Sequence, residues 1–179
     1  MPSSDMVKDW RSRVARKKRK IISFEETVQL KIASLKRWIY SDREPLHDWE
    51  VRHFLYGADR SRKPVDAGWK TIKVGETWGG DGMSAWFRRT VRVPERFAGK
   101  PVDLGIYLGG DSLLSVNGVP HHGLDPFRDA VPLLRPARGG EELTLEIEAY
   151  VSWHSNEPAV KTFQCAYLGV PDAVIHEAY

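Results

Sequence analysis

Two tryptophans beside glycines are the first residues whose types could do chemistry. The stretch WGGDGMSAWFRRTVRVPE places Trp78, Asp81 and Trp86 in and around a glycine-rich loop that leads into a strand. Indole rings suit the C–H faces of sugars, so these three residues are candidate carbohydrate-binding residues. The alternative is that both tryptophans pack in the core or at its rim, which is the commoner role of tryptophan in a small β-domain.

A second group of chemically capable residues lies in the HHGLD motif and just after it. His121, His122 and Asp125 have metal-ligand side chains, but adjacent histidines on a strand point to opposite faces, and no convincing third ligand follows. We therefore assign no metal site and no cofactor to this chain. Loop packing is favoured, with Asp125 and Arg128 or Asp129 fixing a turn. His122, Asp125 and Arg128 remain candidates for carbohydrate binding.

Residues for nucleophilic or acid–base catalysis are sparse. Glu146 and Glu148 share one strand face at a separation of about 7 Å, within the range that glycoside hydrolysis uses, but their alternation with apolar residues favours a solvated outer face. Cys165 is the only cysteine and lies in a strand, which favours a small buried side chain over a nucleophile. No P-loop, G-x-S-x-G, G-x-G-x-x-G or H-E-x-x-H motif is present, so no catalytic residue is assigned.

Charge is distributed unevenly along the 179 residues, whose net charge is +3. Residues 1–20 contain eight basic and two acidic side chains, so the other residues contain 19 basic and 22 acidic ones and have a net charge of −3. We predict a flexible basic arm over 1–22. Salt-dependent polyanion binding by its RKKRK motif is an alternative, but nucleic acid is not favoured as a partner because no aromatic platform accompanies the charge. No apolar stretch approaches the roughly 18 residues of a membrane span.

A helix is expected to precede the strands. Ser23 and Glu26 have capping-box spacing, and an apolar stripe with helical spacing follows, so the sequence predicts a helix over 23–40. The stripe consists of Phe24, Val28, Ile32, Leu35 and Ile39. One helix cannot bury such a stripe alone, so we expect it to pack on the following β-domain, on another domain or on a second subunit, which allows a homo-oligomer. Residues 41–68 have little periodicity and are predicted to be a connecting segment, in which LHDWEVRHF (46–54) could include a short strand.

The remaining elements are strands. Residues 69–170 contain several short alternating segments separated by turn signals, including Asn117-Gly118, the strongest short hairpin signal. Because the connections are too short for parallel crossovers, the pattern predicts a mainly β chain with a β-sandwich. Residues 171–179 begin with Pro171 and Asp172, which suit a helix start, and they are expected to be the first turns of a truncated helix.

Four strings resemble one known family. In order they are RWIYSDREPLHDW, WFRRTVRVPERFAGKPVDL, LLSVNGVPHHGLD and GGEELTLEIEAY. Together, over about residues 30–179, they look like the N-terminal region of family 38 glycoside hydrolases, the α-mannosidases of the cytosolic and vacuolar type. The WFRR and VNG strings are also similar to the sugar-binding-fold domain of β-galactosidase-type enzymes. The resemblance implies a jelly-roll sandwich of the galactose-binding-domain type, preceded by a helix and followed by a zinc-dependent catalytic domain.

The function expected from this resemblance is non-catalytic. No position here matches the family's zinc ligands or its nucleophile, so Zn²⁺ is implied only for a catalytic domain absent from this chain. That domain, hydrolysing terminal α-mannosides, would be the main partner, and a cytoplasmic location is implied. The alternative is a stand-alone carbohydrate-binding module for mannose-containing glycans.

Overall fold

The computed structural model describes residues 23–36, 38–151 and 159–178. The predicted basic arm over 1–22 lies outside the described residues. The described residues divide into two units, one containing 23–36 and the other containing 38–151 and 159–178. Among the described residues, no helix is long and apolar enough to cross a membrane.

In the first unit, helix α1 spans Phe24–Lys36. The predicted capping box is confirmed, because the Ser23 N–H donates to the Glu26 carboxylate (2.9 Å) and the Glu26 N–H donates to Ser23 Oγ (3.0 Å). The prediction that the helix continues to residue 40 is wrong, since Tyr40 begins a strand. Antiparallel pairing with a later strand provides backbone partners for this segment, and this long-range pairing overrides the local helical pattern.

The second unit is built from thirteen strands within the described residues, all of them paired antiparallel. They are β1 Tyr40–Pro45, β2 Asp48–Tyr56, β3 Arg62–Pro64, β4 Lys70–Lys73, β5 Thr77–Gly79, β6 Met83–Arg92, β7 Val102–Tyr107, β8 Asp111–Val116, β9 Val119–Leu124, β10 Ala130–Leu134, β11 Glu142–Tyr150, β12 Val160–Thr162 and β13 Cys165–Pro171. A 3-10 turn, Glu95–Phe97, follows β6, and a short helix α2, Ala173–Ala178, follows β13.

Two larger sheets form the sandwich. The four-stranded sheet has the order β1-β13-β7-β10. The seven-stranded sheet has the order β3-β2-β6-β11-β8-β9, with β4 also paired to β2, and β12 pairs with β5 in a separate ribbon. One core cluster joins inward residues of both large sheets, such as Leu104 and Leu168 from the first and Phe87 and Ile147 from the second. The chain is therefore a mainly β protein with a jelly-roll sandwich, as the sequence predicts.

The short strand expected within 46–54 is present as β2, and the segment 41–68 also contains β3 and most of β1, which the sequence does not predict. Strand β2 pairs with β6 on one side and with β3 and β4 on the other. Its side chains Trp49 and Val51 are buried in the core. Glu50, which lies between them, faces outward, so buried and exposed side chains alternate over only a few residues of β2.

The turn signals are confirmed where they are strongest. Asn117 and Gly118 connect β8 and β9 with positive φ angles of 52° and 77°, as a two-residue hairpin turn requires. The Asn117 side chain also accepts a hydrogen bond from the backbone N–H of Thr144 (2.9 Å). At the end of the domain, Asp172 caps α2 by accepting from the N–H groups of Val174 and Ile175.

Candidate functional site: the aromatic–arginine face

Alternation along β2, β6 and β11 places one set of side chains on the outside of the seven-stranded sheet. Phe87 and Ile147 point into the core, so their neighbours Trp86 and Glu148 point outward. In the strand register, Trp86 lies opposite Arg52 on one side and opposite Glu148 on the other. We call this outer surface the aromatic–arginine face. Its members are Glu50, Arg52, Phe54, Tyr56, Arg62, Trp69, Trp86, Arg88 and Glu148.

Arg62 is the centre of one half of this face. Its guanidinium carbon lies 4.9 Å from the ring centroid of Trp86, with Phe54 at 5.7 Å and Tyr56 at 5.8 Å. The same group donates to both carboxylate oxygens of Glu148, at 3.1 and 2.9 Å. Tyr56 also donates its hydroxyl to Glu148. Burial and this contact with the carboxylate raise the pKa of Tyr56, so the hydroxyl stays protonated as a donor.

The other half of the face is organised by Arg88. It donates to the Glu50 carboxylate at 2.8 Å, and its guanidinium carbon lies 4.0 Å from the ring centroid of Trp69. The two arginines therefore neutralise Glu50 and Glu148, and each stacks on an aromatic ring. Arg52 differs from them, because no ion-pair partner for it is found among the described residues.

Two depressions flank Trp86, each with a cavity volume of about 190 Å³. The first, which we call the Arg52 pocket, is lined by Arg52, His53, Phe54, Arg62, Pro64, Trp69 and Trp86. The second, the Glu146 groove, is lined by Trp86, Leu113, Ser115, Gly118, Glu146, Ile147 and Glu148. The Arg52 pocket is thus aromatic and cationic, whereas the Glu146 groove contains two carboxylates and a hydroxyl. Trp86 forms the wall between them.

A buried network fixes the loop that brings Trp69 to this face. Asp66 accepts from the backbone N–H of His53 (2.7 Å) and from its ring Nδ1 (2.6 Å), and it pairs with Lys70 (2.5 Å). His53 Nε2 accepts from the Gly79 N–H (3.3 Å), so Nδ1 holds the proton that is donated to Asp66. Burial opposes ionisation of Asp66, but these hydrogen bonds outweigh it and lower the pKa of Asp66 to about 2.

The structure separates the six residues that the sequence suggests for carbohydrate binding. Trp78 is buried in the core, where its Nε1 donates to the Leu108 carbonyl (2.7 Å) and its ring packs edge-on against Phe87. Its proposed contact with a ligand is therefore corrected, because the ring is only 3% exposed. Trp86 is partly buried on the opposite side of the sheet from the core, so of the two packing alternatives, core or rim, packing in the core is wrong. Asp81 is exposed in a separate turn.

The HHGLD region forms a self-contained turn. Asp125 accepts from the Phe127 N–H (2.8 Å) and pairs with Arg128 (3.0 Å), in agreement with the predicted turn-fixing role. His121 lies 2.7 Å from the Pro132 carbonyl, and His122 Nδ1 lies 2.7 Å from the carbonyl of the next residue. Across the described ranges, no group of three His, Cys, Asp or Glu side chains is arranged to hold a metal ion. The described side chains of this chain therefore do not fit a Zn²⁺ ion.

Sequence reasoning missed Arg52, Arg62 and Trp69, which belong to segments predicted as connecting or as the domain start. The available signal was in DWEVRHFLY, where Trp49 and Val51 share one parity and Arg52, Phe54 and Tyr56 share the other. Assigning that stretch as a strand beside FRRTVRV would have placed the outward residues of both on one face. The ring–guanidinium contacts depend on loop geometry, so no spacing in the sequence indicates them.

The fold and this face define a class: a jelly-roll β-sandwich domain with a wide aromatic and charged outer surface. The family model "Alpha-mannosidase, jelly roll domain" matches residues 47–164, and the chain belongs to this family. A comparison with curated proteins finds no match.

The chain is also similar in structure to parts of three solved proteins. A Faecalibacterium prausnitzii β-glucuronidase is 13% identical (TM-score 0.46), with 74% of this chain and 32% of that chain covered. A Ruminococcus gnavus β-glucuronidase in complex with uronic deoxynojirimycin is 12% identical (TM-score 0.47; 74% and 30%). A Xanthomonas citri GH31 α-xylosidase is 11% identical (TM-score 0.42; 77% and 20%). The chain thus spans about a third or less of the length of these proteins.

Proposed function

We propose that this chain is a non-catalytic N-terminal domain of an α-mannosidase-like glycoside hydrolase, and that it supports the catalytic domain and its assembly. The observation that carries the proposal is the family match over residues 47–164. The parent reaction is hydrolysis of terminal α-mannosides, and the Zn²⁺ of that reaction belongs to a separate catalytic domain. A reducing cytoplasmic location fits a chain with one cysteine.

The chemistry of the aromatic–arginine face supports a non-catalytic role. A glycosidase of the common two-carboxylate type needs one carboxyl as acid and a second as base or nucleophile. Glu148 is instead held by both Arg62 nitrogen contacts and by Tyr56, and Glu50 is held by Arg88. Carboxylates committed to ion pairs in this way are occupied by their guanidinium partners and are not free to act on a substrate.

Purified chain 1–179 provides the first test. Incubated with an aryl α-mannoside and added Zn²⁺, it is expected to release no aryl alcohol above the level of a mock preparation. If the aryl product is released and Glu148→Gln or Glu146→Gln abolishes that release, the proposal is overturned, because catalysis then belongs to this domain. In the complete encoded protein, deletion of residues 38–178 is expected to reduce the yield of soluble, active enzyme. An unchanged specific activity after that deletion would refute the supporting role.

A carbohydrate-binding role is the second candidate, and one observation favours it. Trp86 is an outward aromatic residue between two depressions, and the Glu146 groove provides carboxylate and hydroxyl groups for sugar hydroxyls. Calorimetric titration with mannose oligosaccharides tests it. Measurable heat that disappears in Trp86→Ala but persists in Asp81→Asn would support binding at this face. An absence of heat at millimolar sugar would reject the role.

A further inference from the structure

The Arg52 pocket contains a cation that the fold leaves without a counter-ion. The neighbouring arginines Arg62 and Arg88 each have a carboxylate partner within 3.0 Å. Arg52 projects from β2 onto the same face, and among the described residues no carboxylate pairs with it. Arg62 and Arg88 stabilise this face as members of ion pairs. The position of Arg52 cannot be explained in the same way.

Unsatisfied hydrogen-bond donors are concentrated around this arginine. Arg52 Nε and Trp86 Nε1 are buried and have no hydrogen-bond partner among the described residues, and both side chains line the Arg52 pocket. Arg52 is directly opposite Trp86 in the register of β2 and β6. A buried donor without an acceptor costs about 1–3 kcal/mol, so two donors side by side indicate a place where an acceptor group is missing.

The walls of the pocket restrict what that acceptor group can be attached to. Trp69 and Trp86 line it on two sides, and its volume of about 190 Å³ is below the roughly 300 Å³ at which pockets for drug-sized ligands begin. A single sugar ring with one small substituent is of suitable size, and its C–H groups suit indole walls. An extended aromatic ligand or a folded peptide segment is too large.

We propose that the Arg52 pocket binds one sugar unit carrying an anionic group, a phosphate ester or a carboxylate. The guanidinium of Arg52 binds the oxyanion through charge-assisted hydrogen bonds, and Trp69 and Trp86 contact the ring. Reorientation of Arg52 on binding brings its Nε edge to the oxygen atoms. The choice of a sugar as the carrier rests on the carbohydrate-binding role proposed above, whereas the choice of an anion rests on Arg52 alone.

The test is a titration of the whole chain followed by ¹H–¹⁵N NMR. The seven tryptophans give seven indole signals, and Trp86→Phe identifies the signal of Trp86. The Trp78 indole, bonded to the Leu108 carbonyl inside the core, is an internal control that should not move. The probes are mannose, mannose 6-phosphate, methyl glucuronide and inorganic phosphate, so the phosphate and carboxylate sources are compared directly.

We expect the Trp86 indole signal to shift saturably with mannose 6-phosphate or methyl glucuronide. The affinity for mannose, measured from the same signal, should be at least about tenfold lower. Arg52→Gln should weaken binding of the anionic sugar by about tenfold or more, and Arg52→Lys should restore part of it because the charge remains. Arg92→Gln is the matched control, since Arg92 is exposed at the end of the neighbouring strand β6, outside the pocket, and pairs with Glu95. It should change affinity less than about twofold.

The other outcomes overturn the proposal in distinguishable ways. Equal affinity for mannose and mannose 6-phosphate refutes the anion and leaves the carbohydrate-binding role standing. Inorganic phosphate as strong as mannose 6-phosphate, with no loss in Trp69→Leu, refutes the sugar and leaves only an anion site. No shift with any probe refutes both the anion and the sugar at this pocket. In each case urea unfolding of Arg52→Gln and Arg52→Lys shows that the variants are folded.

Discussion

Replacement of Asp66 by asparagine should destabilise the domain in a way that depends on pH. Asparagine has the shape of the protonated aspartic acid but no charge, so it removes the ion pair with Lys70 and weakens the two hydrogen bonds from His53. Asp66 is only 9% exposed, whereas the Lys70 side chain is mostly exposed, so solvent screens the contacts with His53 little and the ion pair with Lys70 more strongly. The substitution therefore measures what the ionised carboxylate contributes to the folded state.

The expected magnitude follows from the pKa of Asp66, which folding lowers from 3.8 to about 2. At about 1.4 kcal/mol for each pH unit, the difference is equivalent to about 2 kcal/mol of stability. A carboxyl whose pKa is lower in the folded state stabilises fully above pH 4, and this contribution is lost as the pH falls towards 2. Asp66→Asn should thus cost about 2 kcal/mol at pH 7 and only about half of that at pH 3.

Urea unfolding of the natural and variant chains at the two pH values measures this difference. Asp81→Asn makes the same chemical change at an exposed turn and should alter the free energy of unfolding by less than about 0.5 kcal/mol at either pH. A loss in Asp66→Asn that is equally large at pH 3 and pH 7 would refute the electrostatic argument. It would show that packing of the loop, and not the charge, is what the substitution disturbs.

Two further substitutions test the packing of the sandwich. In Gly105→Ala, the new Cβ would lie 2.1 Å from the Tyr167 ring, so a loss of about 3 kcal/mol or more is expected in urea unfolding. Gly123→Ala, where no atom lies within 4 Å of the new Cβ, should change stability by less than about 0.5 kcal/mol. Trp78→Phe removes the hydrogen bond to Leu108 and leaves a cavity, so differential scanning calorimetry should show a loss of about 2–4 kcal/mol. A loss below about 1 kcal/mol would contradict the buried position of this ring.

Local signals in the sequence were sufficient for caps, turns and the long strands. The Ser23 capping box and the Asn117-Gly118 hairpin depend on residues close in the chain, and both are present in the structure. The helix boundary was wrong because the strand beginning at Tyr40 obtains its partners from β13, more than 120 residues later. No window of the sequence around Tyr40 contains that information, and the apolar Ile39 continues the helical spacing by coincidence.

The candidate site was only partly predictable, for a related reason. The parity of FRRTVRV places Phe87 inward and therefore Trp86 outward, so the outward position of Trp86 was already fixed by the sequence pattern. Trp78 has no such pattern, because β5 is three residues long and pairs only with β12.

What distinguishes the aromatic–arginine face from ordinary surface is the contrast between its arginines. Arg62 and Arg88 are each stacked on a ring and paired with a carboxylate, and such contacts account for their positions without any ligand. Arg52 lies on the same face, but among the described residues no carboxylate pairs with it. A surface that needed only solubility would gain as much from a lysine that reaches into water. The half-buried guanidinium of Arg52, which has no counter-ion among the described residues, is explained if a ligand from outside the chain provides the oxyanion.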